Sequence, residues 1–190
     1  EKLQNKGYKV HGHVCNVGKS KERMAMLEKI GDRLDVLVPN AACSTHFGNQ
    51  LEISEKAYDK LWDLNVKSTF FLIKESLPKL KRSKAANVLV VSSVTGKNPN
   101  FTIGVYAMTK AAWDNMVKGL SEELMSESIR VNGIAPGLIR TDFSGPLWNS
   151  DVPKKSIGEA HQIGSVAACI CSAQDGGFMN GEVYQVNGGF

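Results

Sequence analysis

The chain has few of the features that mark secreted, membrane-spanning or metal-dependent proteins. Its four cysteines, Cys15, Cys43, Cys169 and Cys171, show neither CxxC spacing nor a disulfide-dense pattern, which favours free thiols in a reducing compartment. No apolar run approaches the roughly 20 residues that cross a bilayer, so we expect no membrane span. The four histidines lack metal-ligand spacing. A zinc site on HGH (11–13) is the less favoured alternative to a chain without metal.

Basic residues are also not concentrated enough to indicate nucleic-acid binding. The formal net charge is +4 over 190 residues, and the densest run, KLKRSK at 79–84, follows an apolar segment as a solvated helix end does. A nucleic-acid surface would need more basic residues on one face, so we expect no such partner. With 42% hydrophobic residues, the chain can close one core, which predicts a single domain over residues 1–190.

Short apolar runs alternate with longer segments of helical period. Because the run VLVV is apolar at every position, both of its faces should be buried, as in a parallel sheet that helices cover on each side. Strands and helices in alternation predict a doubly wound α/β fold with a parallel, Rossmann-like sheet. The predicted strands are 8–14, 34–39, 87–93 and 129–135, and the predicted helices are 20–31, 54–82 and the segment with Trp113, Val117, Leu120 and Leu124.

The first residues resemble the end of a helix more than the start of a domain. EKLQNKG (1–7) is typical of a last helical turn that stops at a glycine. We therefore expect that a further segment precedes Glu1 in the parent protein.

Small and polar residues follow three of the predicted strands. NAA (40–42), SSVTG (92–96) and PGLIRT (136–141) come directly after apolar runs. In doubly wound folds ligands bind beyond the carboxyl ends of the strands, and small residues let a cofactor approach the backbone closely. These three segments are therefore the predicted binding edge.

Tyr106 and Lys110 stand four positions apart in VYAMTKAA (105–112). On a helix they share a face, which we expect to point toward Ser93. A lysine ammonium beside a phenol favours the phenolate, so we expect Lys110 to lower the pKa of Tyr106 by about one to three units. The trio is suited to moving a proton on or off a substrate oxygen that Ser93 holds.

The combination of these motifs resembles the short-chain dehydrogenase/reductase family. Ser93, Tyr106 thirteen residues later and Lys110 four after that occur in the family's order, with NAA before and PGLIRT after them. Asn65 in the preceding helix and the closing MNGEVYQVNGG also match. CNVGKS, VSSVTG and IRVNGIAPGLIRTDFS are most similar to the NADP(H)-dependent carbonyl reductase and retinol dehydrogenase branch.

The resemblance implies a role for each matching residue. Tyr106 would be the general acid/base, Ser93 would orient the substrate carbonyl, and Lys110 would lower the tyrosine pKa and hold the nicotinamide ribose. Asn65 would break its helix locally and bind a water that links Lys110 to solvent; the alternative is a solvated polar residue in a long helix. Besides Tyr106 and Lys110, the residues implied in cofactor binding are Asn16, Val17, Asn40, Ala41, Ala42, Pro136, Gly137, Ile139 and Thr141.

The resemblance also implies the activity and its setting. The expected protein is an oxidoreductase that transfers a hydride between NADP(H), preferred over NAD(H), and a carbonyl or alcohol: a ketone, an aldehyde or a retinoid-like compound. A homo-oligomer, specifically a homotetramer, and a cytoplasmic or peroxisomal location are expected with it. The segment 148–157 looks shorter than the family's usual substrate lid.

One departure leaves a second hypothesis open. The family's glycine-rich turn, first strand and most of its second βα unit have no counterpart in these residues, so the expected fold lacks the N-terminal βαβ unit. The alternative function is a catalytically silent, truncated isoform that acts as an assembly partner of full-length relatives. For the fold, we expect either that strand 8–14 pairs with strand 34–38 or that the edge of 34–38 stays open and the isolated chain is poorly soluble.

Overall fold

The computed structural model describes residues 3–148 and 157–189 of the chain, and its centre is a parallel sheet of four strands. Their order across the sheet is the order along the chain, β1-β2-β3-β4, and each neighbouring pair is parallel. The prediction of a doubly wound parallel fold is confirmed. The strands are β1 (Val36–Leu37), β2 (Asn87–Val91), β3 (Arg130–Pro136) and β4 (Val183–Val186).

Helices connect the strands, and one of the long helical segments changes its winding. Glu55–Leu61 is α-helical, Trp62–Lys67 is a π-helix, and Ser68–Leu80 is α-helical again. Ser54 caps this segment by accepting a hydrogen bond from the Ala57 amide at 3.3 Å. The α-helices are α1 (Ser20–Lys29), α2 (Glu55–Leu61), α3 (Ser68–Leu80), α4 (Gly104–Glu123), α5 (Gly145–Trp148) and α6 (Ala160–Cys171).

Two hydrophobic layers cover the two faces of the sheet. On one face Val88, Val90 and Val131 pack with α3 and α4, and Trp113 and Val117 of α4 are fully buried there. On the other face Leu89 and Ile134 pack with Ile170 of α6. Alternate residues of β2 thus pack into opposite layers. This explains why the VLVV run is apolar at every position. The sheet and α4 together fix the carboxyl edge at which Ser93, Tyr106 and Lys110 lie.

The predicted strand 8–14 is wrong. Residues 8–14 carry no strand pairing, and Val14 is 95% exposed. Alternating residues favour an extended backbone, but a strand also needs a neighbour to accept its ladder of hydrogen bonds. The Gln4 side chain instead donates to the Val10 carbonyl at 3.0 Å. The predicted stop at Gly7 is confirmed, because a short 3₁₀ helix (Gln4–Lys6) ends there with Gly7 at φ 83°.

The outer edge of β1 is open within the described ranges, 3–148 and 157–189. β1 pairs with β2 through Val36 and Leu37 and is a terminal strand of the sheet. Of the two expected outcomes for this edge, the structure shows the second, an unpaired edge. Unpaired strand edges favour pairing with other chains, and Val38, 47% exposed, lies just beyond it.

Gly137 is the residue at which β3 leaves the sheet and approaches the turn after β4. A Cβ there would lie 2.9 Å from both Cα and Cβ of Asn187, so a larger residue must displace backbone. We expect Gly137→Ala to lower the free energy of unfolding by about 1–3 kcal/mol. Urea denaturation followed by circular dichroism measures this change.

Gly119→Ala is the matched control, because a Cβ at that helical position meets nothing within 4 Å. Alanine is the better helix former, so this variant should gain about 0.5–1 kcal/mol. Equal effects of the two substitutions would contradict the close approach at Gly137.

Candidate functional site

Ser93, Tyr106 and Lys110 meet beyond the carboxyl end of β2. Ser93 follows β2 and is half-buried, whereas Tyr106 and Lys110 are buried on α4, at 9% and 2% exposure. The Ser93 hydroxyl oxygen accepts hydrogen bonds from the Thr95 amide at 3.2 Å and the Thr95 hydroxyl at 3.0 Å. Its own O–H remains a donor, and a hydrogen bond joins Ser93 to the Tyr106 side chain.

The phenol of Tyr106 holds its proton strongly. Burial raises the pKa of Tyr106 from 10.0 to about 12, although the hydrogen bond from Ser93 acts in the opposite direction and the Cys43 thiol adds to the rise. The expected net lowering of this pKa is wrong, because burial raises it. The Lys110 ammonium lies over the phenol ring, 5.4 Å from its centroid, and the cost of burying a phenolate is larger than its effect. At neutral pH Tyr106 is therefore a proton donor.

Lys110 extends from α4 to the end of β2. Its ammonium donates to the Val91 carbonyl at 2.9 Å and lies 3.6 Å from the centroid of the Trp113 ring. Burial lowers the pKa of Lys110 from 10.5 to about 7, and the Asp114 carboxyl, followed by Cys43, opposes that fall. Near neutral pH the side chain is thus divided between its charged and neutral forms.

Asp114 lies one turn after Lys110 and is anchored to the strand end. Its Oδ1 accepts from the Ser92 hydroxyl at 2.6 Å. Its Oδ2 is buried and has no hydrogen-bond partner among the described residues. Burial raises the pKa of this carboxyl, against smaller opposing effects of Ser92, Lys97 and Lys110. Asp114 is thus a half-buried acidic neighbour of Lys110 that the sequence reasoning did not identify.

Asn65 is the centre of the π-helix and is completely buried. The expected local break of the long helix is present, and the alternative of a solvated residue is wrong. The side-chain oxygen accepts from the Cys43 amide at 2.8 Å, while the side-chain nitrogen donates to the Cys43 carbonyl and to the Thr109 hydroxyl, both at 3.0 Å. The backbone carbonyl accepts a hydrogen bond from the indole N–H of Trp113.

Asn65 thereby links three parts of the site. Thr109 donates onward to the Tyr106 carbonyl at 2.7 Å, so the π-helix, the loop after β1 and α4 share one network. Thr109 and Trp113 were missed as site residues. The signal that could have found them is spacing, because positions 106, 109, 110 and 113 lie on one face of a helix.

The residues implied in cofactor binding after β1 and β3 line the same carboxyl edge. Asn40 and Ala41 are exposed and Ala42 is half-buried. After β3, the Gly137 amide donates to the Val186 carbonyl at 3.0 Å, and Pro136 ends the pairing with β4. This edge offers both exposed backbone and close-packed turns.

Ile139 and Thr141 belong to a separate turn that Ser144 organises. Ile139 forms a bridge with Gly158, and its carbonyl accepts a hydrogen bond from the Ser144 hydroxyl. The Thr141 and Ser144 hydroxyl oxygens are 3.1 Å apart. Phe143 in the same turn places its ring 6.1 Å from that of Tyr106 and is 53% exposed. This aromatic neighbour of the phenol was not predicted. Residues 149–156 of the expected short lid lie outside the described residues.

Asn16 and Val17 lie in a different part of the surface, ahead of α1. The Asn16 side-chain oxygen accepts from the Gly18 amide at 3.0 Å, and the Val17 carbonyl accepts from Arg23 at 2.6 Å. Asn16 lines a cavity of about 730 Å³ between the start of α1 and the α2–π-helix segment. Ser93, Tyr106 and Lys110 are not among the residues that line this cavity.

The donor set at the carboxyl edge fits a ligand with hydroxyl groups. An ammonium has three N–H donors, and Val91 accepts one of those of Lys110. The hydroxyl-rich ribose of a nicotinamide cofactor matches three sets of groups here. These are the remaining N–H donors of Lys110, the Ser93 hydroxyl, and the backbone of the exposed residues Asn40 and Ala41.

Two further observations on the described residues bear on other classes of function. No helix in the described residues is long and apolar enough to cross a membrane. Among those residues, no group of three or more histidine, cysteine or acidic side chains could hold a metal ion.

The buried ammonium of Lys110 predicts a specific dependence of stability on pH. Between pH 7 and 10.5 the unfolded chain carries a proton on Lys110 that the folded chain has released, so stability rises with pH over this interval. From pH 7 to 9.5 the wild type should gain about 3 kcal/mol from this residue. Lys110→Met should lack that gain in urea unfolding at a series of pH values.

Lys118→Met serves as the control, because Lys118 is an exposed lysine of the same helix, with 61% of its side chain accessible. That variant should keep the wild-type slope with pH. Parallel curves for wild type and Lys110→Met would show that Lys110 keeps an ordinary pKa in the folded chain.

Comparisons with known proteins agree on one family. The sequence model of short chain dehydrogenase matches residues 1–151. The chain is 35% identical over 199 residues to dehydrogenase/reductase SDR family member 4 of Sus scrofa, covering 98% of this chain and 71% of that protein. It is also 35% identical over 201 residues to tropinone reductase-like 3 of Erythroxylum coca, covering all of this chain and 76% of the relative.

Solved structures agree with the sequence relatives. A 7α-hydroxysteroid dehydrogenase complexed with NADH and 7-oxo glycochenodeoxycholic acid superposes with a TM-score of 0.87 at 26% identity, over 99% of this chain and 77% of that one. A short-chain type dehydrogenase/reductase from Mycobacterium marinum, at 22% identity, supports the fold with a TM-score of 0.89 over 99% of this chain and 78% of its own. The chain belongs to the short-chain dehydrogenase family.

Proposed function

We propose that the chain reduces ketones or aldehydes, including retinoid-like carbonyls, and oxidises the matching alcohols, with Tyr106 as the general acid/base. As a member of the short-chain dehydrogenase family it is an oxidoreductase that moves a hydride between a nicotinamide cofactor and a carbonyl or alcohol. The observation that carries the assignment of Tyr106 is its buried, protonated phenol, which Ser93 contacts and beside which Lys110 lies. The related hydroxysteroid dehydrogenase was solved with a ketone-bearing bile acid, which supports a carbonyl substrate.

The proposed mechanism uses each side chain for a separate task. The Ser93 hydroxyl donates to the substrate oxygen and sets it beside the phenol, while Tyr106 delivers its proton to that oxygen during reduction. A pKa of about 12 keeps the phenol protonated at neutral pH, which suits reduction better than alcohol oxidation. Lys110 would hold the nicotinamide ribose through its ammonium. The nicotinamide supplies or accepts the hydride when bound.

Alcohol oxidation requires the opposite proton movement. Tyr106 must then accept a proton, and in the structure burial opposes its ionisation. Positive charge favours the phenolate. Above pH 7 the Lys110 side chain is mostly neutral, so this charge would come from the oxidised, cationic form of the nicotinamide ring. The two directions of the reaction should therefore differ in pH optimum, with oxidation favoured at the more alkaline pH.

The finer features of the function rest on resemblance and are proposals of the same kind. The family branch favours NADP(H) over NAD(H), a homotetramer, and a cytoplasmic or peroxisomal location. Apolar residues on two helices, Phe70 and Phe71 of α3 and Met108 of α4, are 37–45% exposed, and an assembly that covers them would bury apolar surface. Light scattering of the purified protein measures that assembly.

Removal of the phenolic hydroxyl tests the role of Tyr106. Tyr106→Phe should lower carbonyl reduction by at least about a hundredfold, because a positioned general acid contributes that much. Affinity for NADPH should stay nearly unchanged, since the ring remains. Turnover of a panel of small ketones and aldehydes, together with nicotinamide fluorescence, checks both expectations.

Tyr58→Phe is the control, because Tyr58 is a partly exposed tyrosine of α2, at 39%. This variant should retain wild-type turnover. Near-wild-type activity in Tyr106→Phe would contradict the assignment of Tyr106 as the general acid.

Cofactor preference is a separate expectation. We expect NADPH to bind about tenfold or more tightly than NADH, a difference of about 1.4 kcal/mol, in titrations that follow nicotinamide fluorescence. Equal affinities, or tighter binding of NADH, would contradict the preference for NADP(H). Failure of both to bind would contradict the proposed enzyme and favour the silent assembly partner.

A further inference from the structure

Trp113 makes two contacts with the proposed site that the family resemblance does not imply. It lies one turn after Lys110 on α4 and is completely buried. Its indole N–H donates to the backbone carbonyl of Asn65, and its ring centroid is 3.6 Å from the Lys110 ammonium. The backbone carbonyl of Asn65, the residue expected to bind a water, is therefore already an acceptor for a side chain of this protein.

Burial destabilises the charged Lys110 ammonium, and few neighbouring groups offset that cost. Loss of solvation disfavours a buried charge unless it is paired. The Val91 carbonyl accepts one hydrogen bond. The ionisable groups that affect Lys110 are Asp114 on its own helix and Cys43 from the loop after β1.

Two further ionisable groups, Tyr106 and Lys97, lie near this set. Tyr106 lies one turn before it on α4 and is protonated, and Lys97 affects Asp114. The Trp113 face at 3.6 Å is closer to the ammonium than the Tyr106 face at 5.4 Å. Indole is the best of the aromatic rings at attracting a cation. Trp113 does not ionise, and it is thus a major source of stabilisation for the charged Lys110 ammonium.

The hydrogen bond to Asn65 fixes the ring that makes this contact. Asn65 is held in turn by Cys43 and Thr109 through its side chain. The indole is therefore tied at its N–H end to the π-helix, while its face lies against Lys110. A leucine or phenylalanine of similar hydrophobicity would fill the core but would lack one or both contacts.

We propose that Trp113 is a positioning residue that holds the Lys110 side chain beside Tyr106 and stabilises its ammonium through the face of the indole ring. The catalytic consequence rests on the proposed function, because it assumes that the charged form of Lys110 serves Tyr106 and the cofactor. The structural part does not depend on activity. Trp113 itself touches no reacting atom in this scheme.

Fluorinated tryptophans test the ring contact with little change in shape. Analogues with one, two and three fluorines, placed at position 113 by codon suppression, progressively weaken the attraction of the ring for a cation. In NMR titrations of ¹³C-labelled lysine, with the Lys110 signal assigned from Lys110→Met, the pKa of Lys110 should fall stepwise by about one pH unit in total. The same analogues at Trp62, a tryptophan of the π-helix, should leave it unchanged.

An unchanged titration of Lys110 across the fluorinated series overturns the inference, whether or not the chain is an active enzyme. If the pKa falls stepwise, the contact is established. The pH at which carbonyl reduction declines should then move down by the same amount. A shifted Lys110 titration with an unmoved pH profile would keep the structural inference and count against the proposed use of Lys110 in catalysis.

Two substitutions separate the indole N–H from general packing. Trp113→Phe keeps an aromatic face but removes the donor to Asn65, and it should shift the Lys110 signal and lower kcat more than it changes KM. Val117→Ala, one turn further along the same buried face, should lower stability without moving the Lys110 titration. Equal behaviour of the two variants in this titration would mean that Trp113 serves packing alone.

Discussion

The burial of one ammonium group is the constraint on which the rest of the site depends. Lys110 is 2% exposed, and its charge lies among the end of β2, the phenol of Tyr106 and the indole of Trp113. Water that would solvate a surface lysine is replaced there by one carbonyl and two ring faces. Burial therefore lowers the pKa of Lys110 to about 7, although Asp114 and Cys43 oppose that fall. Any ligand that accepts a hydrogen bond from this ammonium would improve its solvation, which is a physical reason for the site to bind one.

The fold supplies this arrangement through two rigid elements and one irregular one. The parallel sheet fixes Val91 and Ser93 at the end of β2, and α4 carries Tyr106, Lys110 and Trp113 on one buried face. The π-helix turns the Asn65 backbone carbonyl to the Trp113 indole. π-Helical turns are rare and occur often at functional sites. Here the irregular turn lets a long helix hold both the loop after β1 and α4.

Much of this could be predicted from the sequence, and the failures have specific causes. Alternating apolar runs predict the parallel sheet, and the spacing of Ser93, Tyr106 and Lys110 predicts their meeting, because both follow from local geometry. The family model and relatives confirm the hydride-transfer function. Segment 8–14 is not a strand, since pairing depends on a distant neighbour. The preference for NADP(H) and the tetramer stay predictions.

The pKa of Tyr106 and the role of Trp113 could not be predicted for a different reason. A sequence shows that Lys110 is near Tyr106, but not that burial of the phenol has a larger effect than the charge. Trp113 fits the apolar period of α4, so its pattern indicates packing and says nothing of where its N–H and ring face point. Burial and side-chain direction are tertiary properties, and both decide the chemistry of this site.

The most direct test of this account is an NMR titration of Tyr106 with ¹³C at the phenolic carbon, assigned from Tyr106→Phe. Burial raises the free energy of the Tyr106 phenolate more than Ser93 and Lys110 lower it. The phenol should therefore remain protonated well above the ordinary tyrosine pKa, with the midpoint of its titration near 12. That result would establish Tyr106 as a proton donor at neutral pH. A midpoint at or below 10 would contradict the account, because Lys110 would then dominate over burial.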